Sequence, residues 1–183
     1  VASIMFVLWS ALGAVYTVII AFVQKTLHSA TKDLGLLAMF VGIGLFVGSL
    51  LYGKFGSRFS QYKTIFSSLI VSGCMLIIFA LVLWRYPYLL VAEFLAFALG
   101  LSIAPIMIAS NTVVHNASKV DMMGKVFSSL EIVMHLAFLV FMFASSIIAE
   151  HVSCGIILVG VGIIFGIVGA GSLIYNRKIP WFN

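Results

Sequence analysis

Apolar residues in this chain do not alternate; they run. Six stretches, residues 2–24, 34–54, 64–84, 88–110, 125–149 and 154–175, are interrupted only by short polar or basic links. A helix that crosses a bilayer takes about 20 mostly apolar residues, so each stretch predicts one spanning helix. A transmembrane β-barrel would instead show segments of about ten residues with alternating polarity. The links are Lys25 to Asp33, a basic loop ending at Lys63, the tight turn Arg85-Tyr86-Pro87, the polar stretch Asn111 to Gly124, and Glu150 to Ser153. The expected fold is therefore all-α and membrane-integral, with residues 1–183 forming a single six-helix bundle.

Composition agrees. Hydrophobic residues make up 63% of the chain, charged residues 8%, and the mean hydropathy is +1.26. A soluble domain carries about 25% charged residues. The net charge of +5 does not point to nucleic acid, because the cations sit in the links beside the spans, where they orient the protein and meet lipid headgroups. Cys74 and Cys154 lie inside apolar runs and read as small buried hydrophobes; no CxxC, Cys/His metal spacing or disulfide framework is present. No cofactor is expected. The first run has neither a basic n-region nor a small-residue cleavage site, so it reads as a span, and Val1 at the start suggests a processed chain or a fragment.

The charges also set an orientation. Lys54, Arg58, Lys63, Lys119, Lys125, Arg177 and Lys178 fall on one side of the predicted membrane; Lys25, Lys32 and Arg85 fall on the other. Lys/Arg-rich short loops stay cytoplasmic, so both termini are expected inside, in a bacterial cytoplasmic membrane. Trp84, Tyr86 and Tyr88 cluster at the predicted outer interface, and Tyr175 and Trp181 at the inner one. Gly44/Gly48 and Gly162/Gly166 form GxxxG pairs that suit close helix packing. Pro105 sits within the fourth run and predicts a kink.

Ionisable residues inside the spans are few: Glu93, Glu131 and His135. A charge in hydrocarbon costs at least about 2.5 to 3.5 kcal/mol on insertion scales, which makes each a functional candidate. Glu131 and His135 are four residues apart and share one helix face. They suit proton or substrate handling; the alternative is a buried pair locking the fifth helix to a neighbour. Glu93 lies nearer the outer surface, where it can snorkel or pair with Arg85. Asn111, Thr112, His115 and Asn116 read as capping and loop residues at the end of the fourth helix. HExxH, GxSxG and Walker patterns are absent, which argues against an enzyme. A channel would need a continuous polar stripe, and the polar residues are too sparse for one.

Six spans with both ends inside and a basic loop between the second and third resemble one half of a major facilitator superfamily transporter. The family's loop motif, G-x-x-x-D-R-x-G-R-R, falls on Gly53, Ser57, Arg58, Ser60, Gln61 and Tyr62, with Lys63 just beyond. Gly53 and Arg58 match; Ser57 replaces the acid and Ser60 the second glycine, as in a decayed carboxy-terminal copy. Asn111-Thr112 followed by Asp121-Met-Met-Gly124-Lys125-Val126-Phe127-Ser128 is similar to a pattern of the drug and macrolide efflux branch. The resemblance implies helices seven to twelve of a twelve-helix fold, built as two inverted three-helix repeats. The first and fourth helices would line the cavity, bringing Glu93 and Pro105 to it, and the fifth would bring Glu131 and His135 near. It implies proton-coupled export of small amphipathic compounds by alternating access, with a missing amino-terminal half or a second copy of the chain as partner. The alternatives are a lipid or siderophore exporter of the same superfamily and a non-transporting membrane scaffold.

Overall fold

The structure is a computed structural model and describes residues 2–27, 31–56, 60–117 and 123–176. Six helices follow one another: α1 (Ala2–Leu27), α2 (Thr31–Phe55), α3 (Gln61–Arg85), α4 (Leu89–Ala117), α5 (Met123–His151) and α6 (Cys154–Asn176). There is no strand among the described residues. Each helix contains a window long and apolar enough to cross a bilayer, and the protein is an integral membrane protein.

The helices run further than the apolar stretches do. α1 continues through Lys25 to Leu27, α2 begins at Thr31, α3 at Gln61, and α5 extends from Met123 to His151. The largest difference is α4, which persists to Ala117, so Asn111, Thr112, His115 and Asn116 are helical rather than capping or loop residues. Hydropathy marks the part of a helix that lies in hydrocarbon, and the backbone keeps its own hydrogen bonds beyond that depth. Gly53, taken as part of a loop motif, likewise lies inside α2, and Gly124 and Lys125 lie in the first turn of α5.

Neighbours in space are not neighbours in sequence. The main partners are α2 with α4, α3 with α6, and α1 with α5, followed by α3 with α4 and α1 with α6. Helix directions follow from the glycines. Gly44 faces Phe97 and Leu101 while Gly48 faces Leu101 and Ala104, so α2 and α4 run parallel. Gly73 faces Gly162 and Phe165 while Gly169 faces Phe66 and Ile70, so α3 and α6 run antiparallel. Exchanging α1-α2-α3 with α4-α5-α6 turns the α1–α5 contact into the α4–α2 contact and the α3–α4 contact into the α6–α1 contact. It leaves α3–α6 unchanged. The bundle is thus two three-helix repeats related by a two-fold exchange, and because short links make successive helices antiparallel, the repeats are inverted.

The packing devices repeat as well. A Cβ at Gly13 would collide with the Phe138 carbonyl of α5, and one at Gly100 would collide with the Val41 carbonyl of α2, at equivalent places in the two repeats. Gly73 and Gly162 face each other across α3–α6, where an added Cβ would lie 2.6 and 2.8 Å from the opposite carbonyl. Lipid supplies no hydrophobic drive to association, so close backbone approach and van der Waals contact do the work. In α6 the packing pair is Gly162 and Gly169, whereas the Cβ direction at Gly160, Gly166 and Gly171 is open. Pro105 removes the N–H that would bond the Leu101 carbonyl, and that carbonyl lies toward Gly48, where an added Cβ would meet it at 2.8 Å. Cys154 is buried as expected, but Cys74 is exposed on the outside of α3.

Candidate functional site

Where the N-terminal ends of α1 and α5 meet the C-terminal end of α4, a cavity of about 680 Å³ opens. α4 contributes Met107, Ser110, Asn111, Thr112 and His115; α5 contributes Phe127, Glu131, Met134 and His135; α1 contributes Met5, Leu8 and Trp9. The sequence places most of the polar members on one side of α4 because Ser110, Asn111 and His115 recur at helical spacing, and the unbroken continuation of α4 past residue 110 carries them there. Glu131 lies eight residues into α5, about 12 Å from its start at 1.5 Å per residue.

Glu131 and His135 share this cavity, as their spacing predicts, but they are not a buried pair. Both are exposed to the open side of the bundle. His135 Nδ1–H donates to the backbone carbonyl of Glu131, 2.8 Å away, and the Glu131 carboxylate has no partner among the described residues. The same bond leaves Nε2 of a neutral imidazole as an acceptor. The His135 ring sits beside the Trp9 indole, with centroids 5.3 Å apart. Thr112 donates to the Ile108 carbonyl at 2.8 Å and keeps its lone pairs available. Ser110 is fully buried and its Oγ has no hydrogen-bond partner among the described residues. A buried hydroxyl left unpaired costs about 1–3 kcal/mol.

A second cavity, about 480 Å³, lies further along the same helices. It is apolar, with Val15, Tyr16 and Ile19 of α1, Leu37 and Val41 of α2, Phe79 of α3, Leu99 and Ile103 of α4, and Phe138 of α5 in its wall. The two cavities are joined by aromatic rings. Trp9 meets Phe138 edge-on at 6.3 Å, and Phe138 meets Tyr16 at 5.7 Å. His135, Trp9, Phe138 and Tyr16 therefore form a ladder along the α1–α5 seam, from the polar cavity to the apolar one.

The other sequence candidates lie elsewhere. Glu93 is half-buried in the second turn of α4, at the opposite end of the bundle, and lines neither cavity. Arg85 rests over the ring of Tyr86, 5.3 Å from its centroid. Pro105 lines a separate groove between α2, α3, α4 and α6, not the cavity of Glu131. Lys63 is exposed in the first turn of α3, and Lys125 in the first turn of α5. Arg58 and Asp121 fall outside the described residues. No group of three metal-ligating side chains occurs among the described residues. Sequence reading missed Ser110, Asn111, His115 and Trp9; the signal was available as polar residues at helical spacing continuing the fourth apolar run.

These features define a polytopic α-helical membrane protein with an amphipathic cleft between its two repeats. Compared with known proteins, the chain matches no family model, no curated protein and no solved structure.

Proposed function

We propose that this chain is the carboxy-terminal six-helix half of a secondary active transporter of the major facilitator type, and that it exports small amphipathic compounds by alternating access. The observation that supports the reading most is the pairing of a polar and an apolar cavity along α1 and α5, joined by four aromatic rings. A compound with a polar head and an apolar body fits that gradient, head toward Glu131 and body toward Phe138. The inverted repeats add support, since such repeats place substrate sites at their interface. A second six-helix half, from the same polypeptide or from a second copy, covers the exposed sides of α2 and α5.

In this reading Glu131 exchanges a proton for the substrate. Its carboxylate has no partner among the described residues, faces the cleft, and has His135 and His115 around the same space. Protonation of the carboxylate releases the compound's polar head, and loss of the proton restores the site. The test uses the intact polypeptide from its native membrane, reconstituted in vesicles with an imposed pH gradient. Glu131→Gln, which mimics the protonated carboxylate, is expected to abolish gradient-driven uptake and to weaken ligand binding. Unchanged gradient-driven transport in that variant would remove the carboxylate from the coupling step.

A further inference from the structure

A second groove opens at the end of the bundle that carries the polar cavity, where α2, α3, α4 and α6 meet. It holds about 530 Å³ and is mostly apolar, with Phe55, Pro105 and Leu173 in its wall. Its polar groups come almost entirely from the first two turns of α3: Lys63, Thr64, Ser67 and Ser68. Lys63 is exposed. The adjacent Lys54 does not line the groove; its Nζ lies 5.6 Å from the centroid of the Phe55 ring. No acidic side chain lines the groove among the described residues.

Depth orders these groups. Lys63 is the third residue of α3 and so stands at headgroup level, whereas the inner end of the groove lies at Gly48, which faces Leu101 and Ala104 seven residues before the end of α2, about 10 Å inward at 1.5 Å per residue. The start of α3 adds the positive end of the helix dipole, and its N-cap, Ser60, makes no side-chain capping bond. The Thr64 and Ser67 hydroxyls donate to carbonyls of their own helix at 3.2 and 3.1 Å, while the Ser68 hydroxyl donates to no described residue. A site that is cationic at its mouth, hydroxyl-lined just below and apolar along its depth has the polarity profile of one phospholipid.

We propose that this groove binds a single phospholipid with an anionic headgroup. Its phosphate pairs with Lys63 and accepts from the Ser68 hydroxyl, and one acyl chain follows Leu51, Pro105 and Leu101 inward. The site lies apart from the cleft of Glu131 and does not depend on the transport reading. Because Pro105 itself lines the groove, the lipid packs directly against the proline of α4.

The test is native mass spectrometry of the detergent-solubilised protein titrated with phosphatidylglycerol, with phosphatidylcholine of the same acyl chains, and with inorganic phosphate. Phosphatidylglycerol is expected to bind at least about fivefold more tightly than phosphatidylcholine, the weight of one lysine at an anionic surface. Inorganic phosphate is expected not to compete. Lys63→Gln removes the preference, and Lys63→Arg keeps it. Lys125→Gln lowers the charge at the same end by the same amount but lies outside this groove, and it keeps the preference. Equal binding of the two lipids overturns the proposal. So does an equal loss in Lys125→Gln, which means general surface attraction, or competition by phosphate alone, which means a small-anion site.

Discussion

Two glycines of the same chemistry behave differently in this bundle, and the difference is where a methyl group would land. At Gly100 it would strike the Val41 carbonyl, and at Gly13 the Phe138 carbonyl; both obstacles are backbone and cannot rotate away. At Gly42 and Gly160 the same methyl meets nothing within 4 Å. Overpacking a close contact costs about 1–3 kcal/mol, whereas replacing an open helical glycine by alanine stabilises by about 0.5–1 kcal/mol. Gly13→Ala and Gly100→Ala are therefore expected to lower the unfolding temperature in detergent, while Gly42→Ala and Gly160→Ala leave it unchanged or raise it. Equal effects in all four would mean that the helices do not approach through these points. Sequence counted every glycine alike: the GxxxG spacing found Gly44, Gly48 and Gly162 correctly, but it also chose Gly166, whose Cβ direction is open. The true partner in α6 is Gly169, seven residues from Gly162, because the crossing with α3 follows a stripe longer than one motif.

At the level of helices, six spans were legible because lipid demands continuous apolar runs, and all six are present. Their ends were not, because the same signal stops at the interface while the helix goes on. That error had a functional consequence. Ending the fourth helix at residue 110 turned Asn111 and His115 into loop residues, when they are cavity-lining groups opposite Glu131. The pairing of α1 with α5 was equally hidden, since no local pattern announces a parallel neighbour more than a hundred residues away, and with it the ladder of His135, Trp9, Phe138 and Tyr16. Phe138 is the rung that touches both Trp9 and Tyr16. Aromatic contacts of this kind contribute about 0.5–1.5 kcal/mol each, so Phe138→Ala is expected to weaken binding of an amphipathic cation such as ethidium by about two- to tenfold, read from fluorescence titration. Phe138→Tyr keeps the ring and is expected to bind normally. If Phe138→Ala binds as well as the parent, the compound does not pass along the ladder.

For the whole molecule, the inverted repeats leave α2 and α5 as the most open helices. Only 17% of the spanning window of each is buried, against 44% for α3. Phe46 and Leu50 on α2 and Leu136 and Phe143 on α5 are exposed, a pattern that lipid or a second bundle satisfies equally well. The two ends of the bundle are not equivalent in charge. Lys54, Lys63 and Lys125 stand at the end that also holds the polar cavity and the lipid-shaped groove, while Lys25, Lys32 and Arg85 stand at the other, beside the exposed rings of Trp84, Tyr86 and Tyr88. The positive-inside bias predicts that the first end is cytoplasmic; the Glu131 cavity would then open inward and the α3–α4 turn would face out. A background with Cys74→Ala and Cys154→Ala separates these faces. In right-side-out vesicles, Tyr86→Cys in that background is expected to react with a membrane-impermeant maleimide, and Gln61→Cys only after the membrane is opened. The reverse pattern would invert the molecule, place Glu131 and the groove of Lys63 in the outer leaflet, and turn the proposed export into uptake, because the proton-binding end of the cleft would then face the opposite compartment.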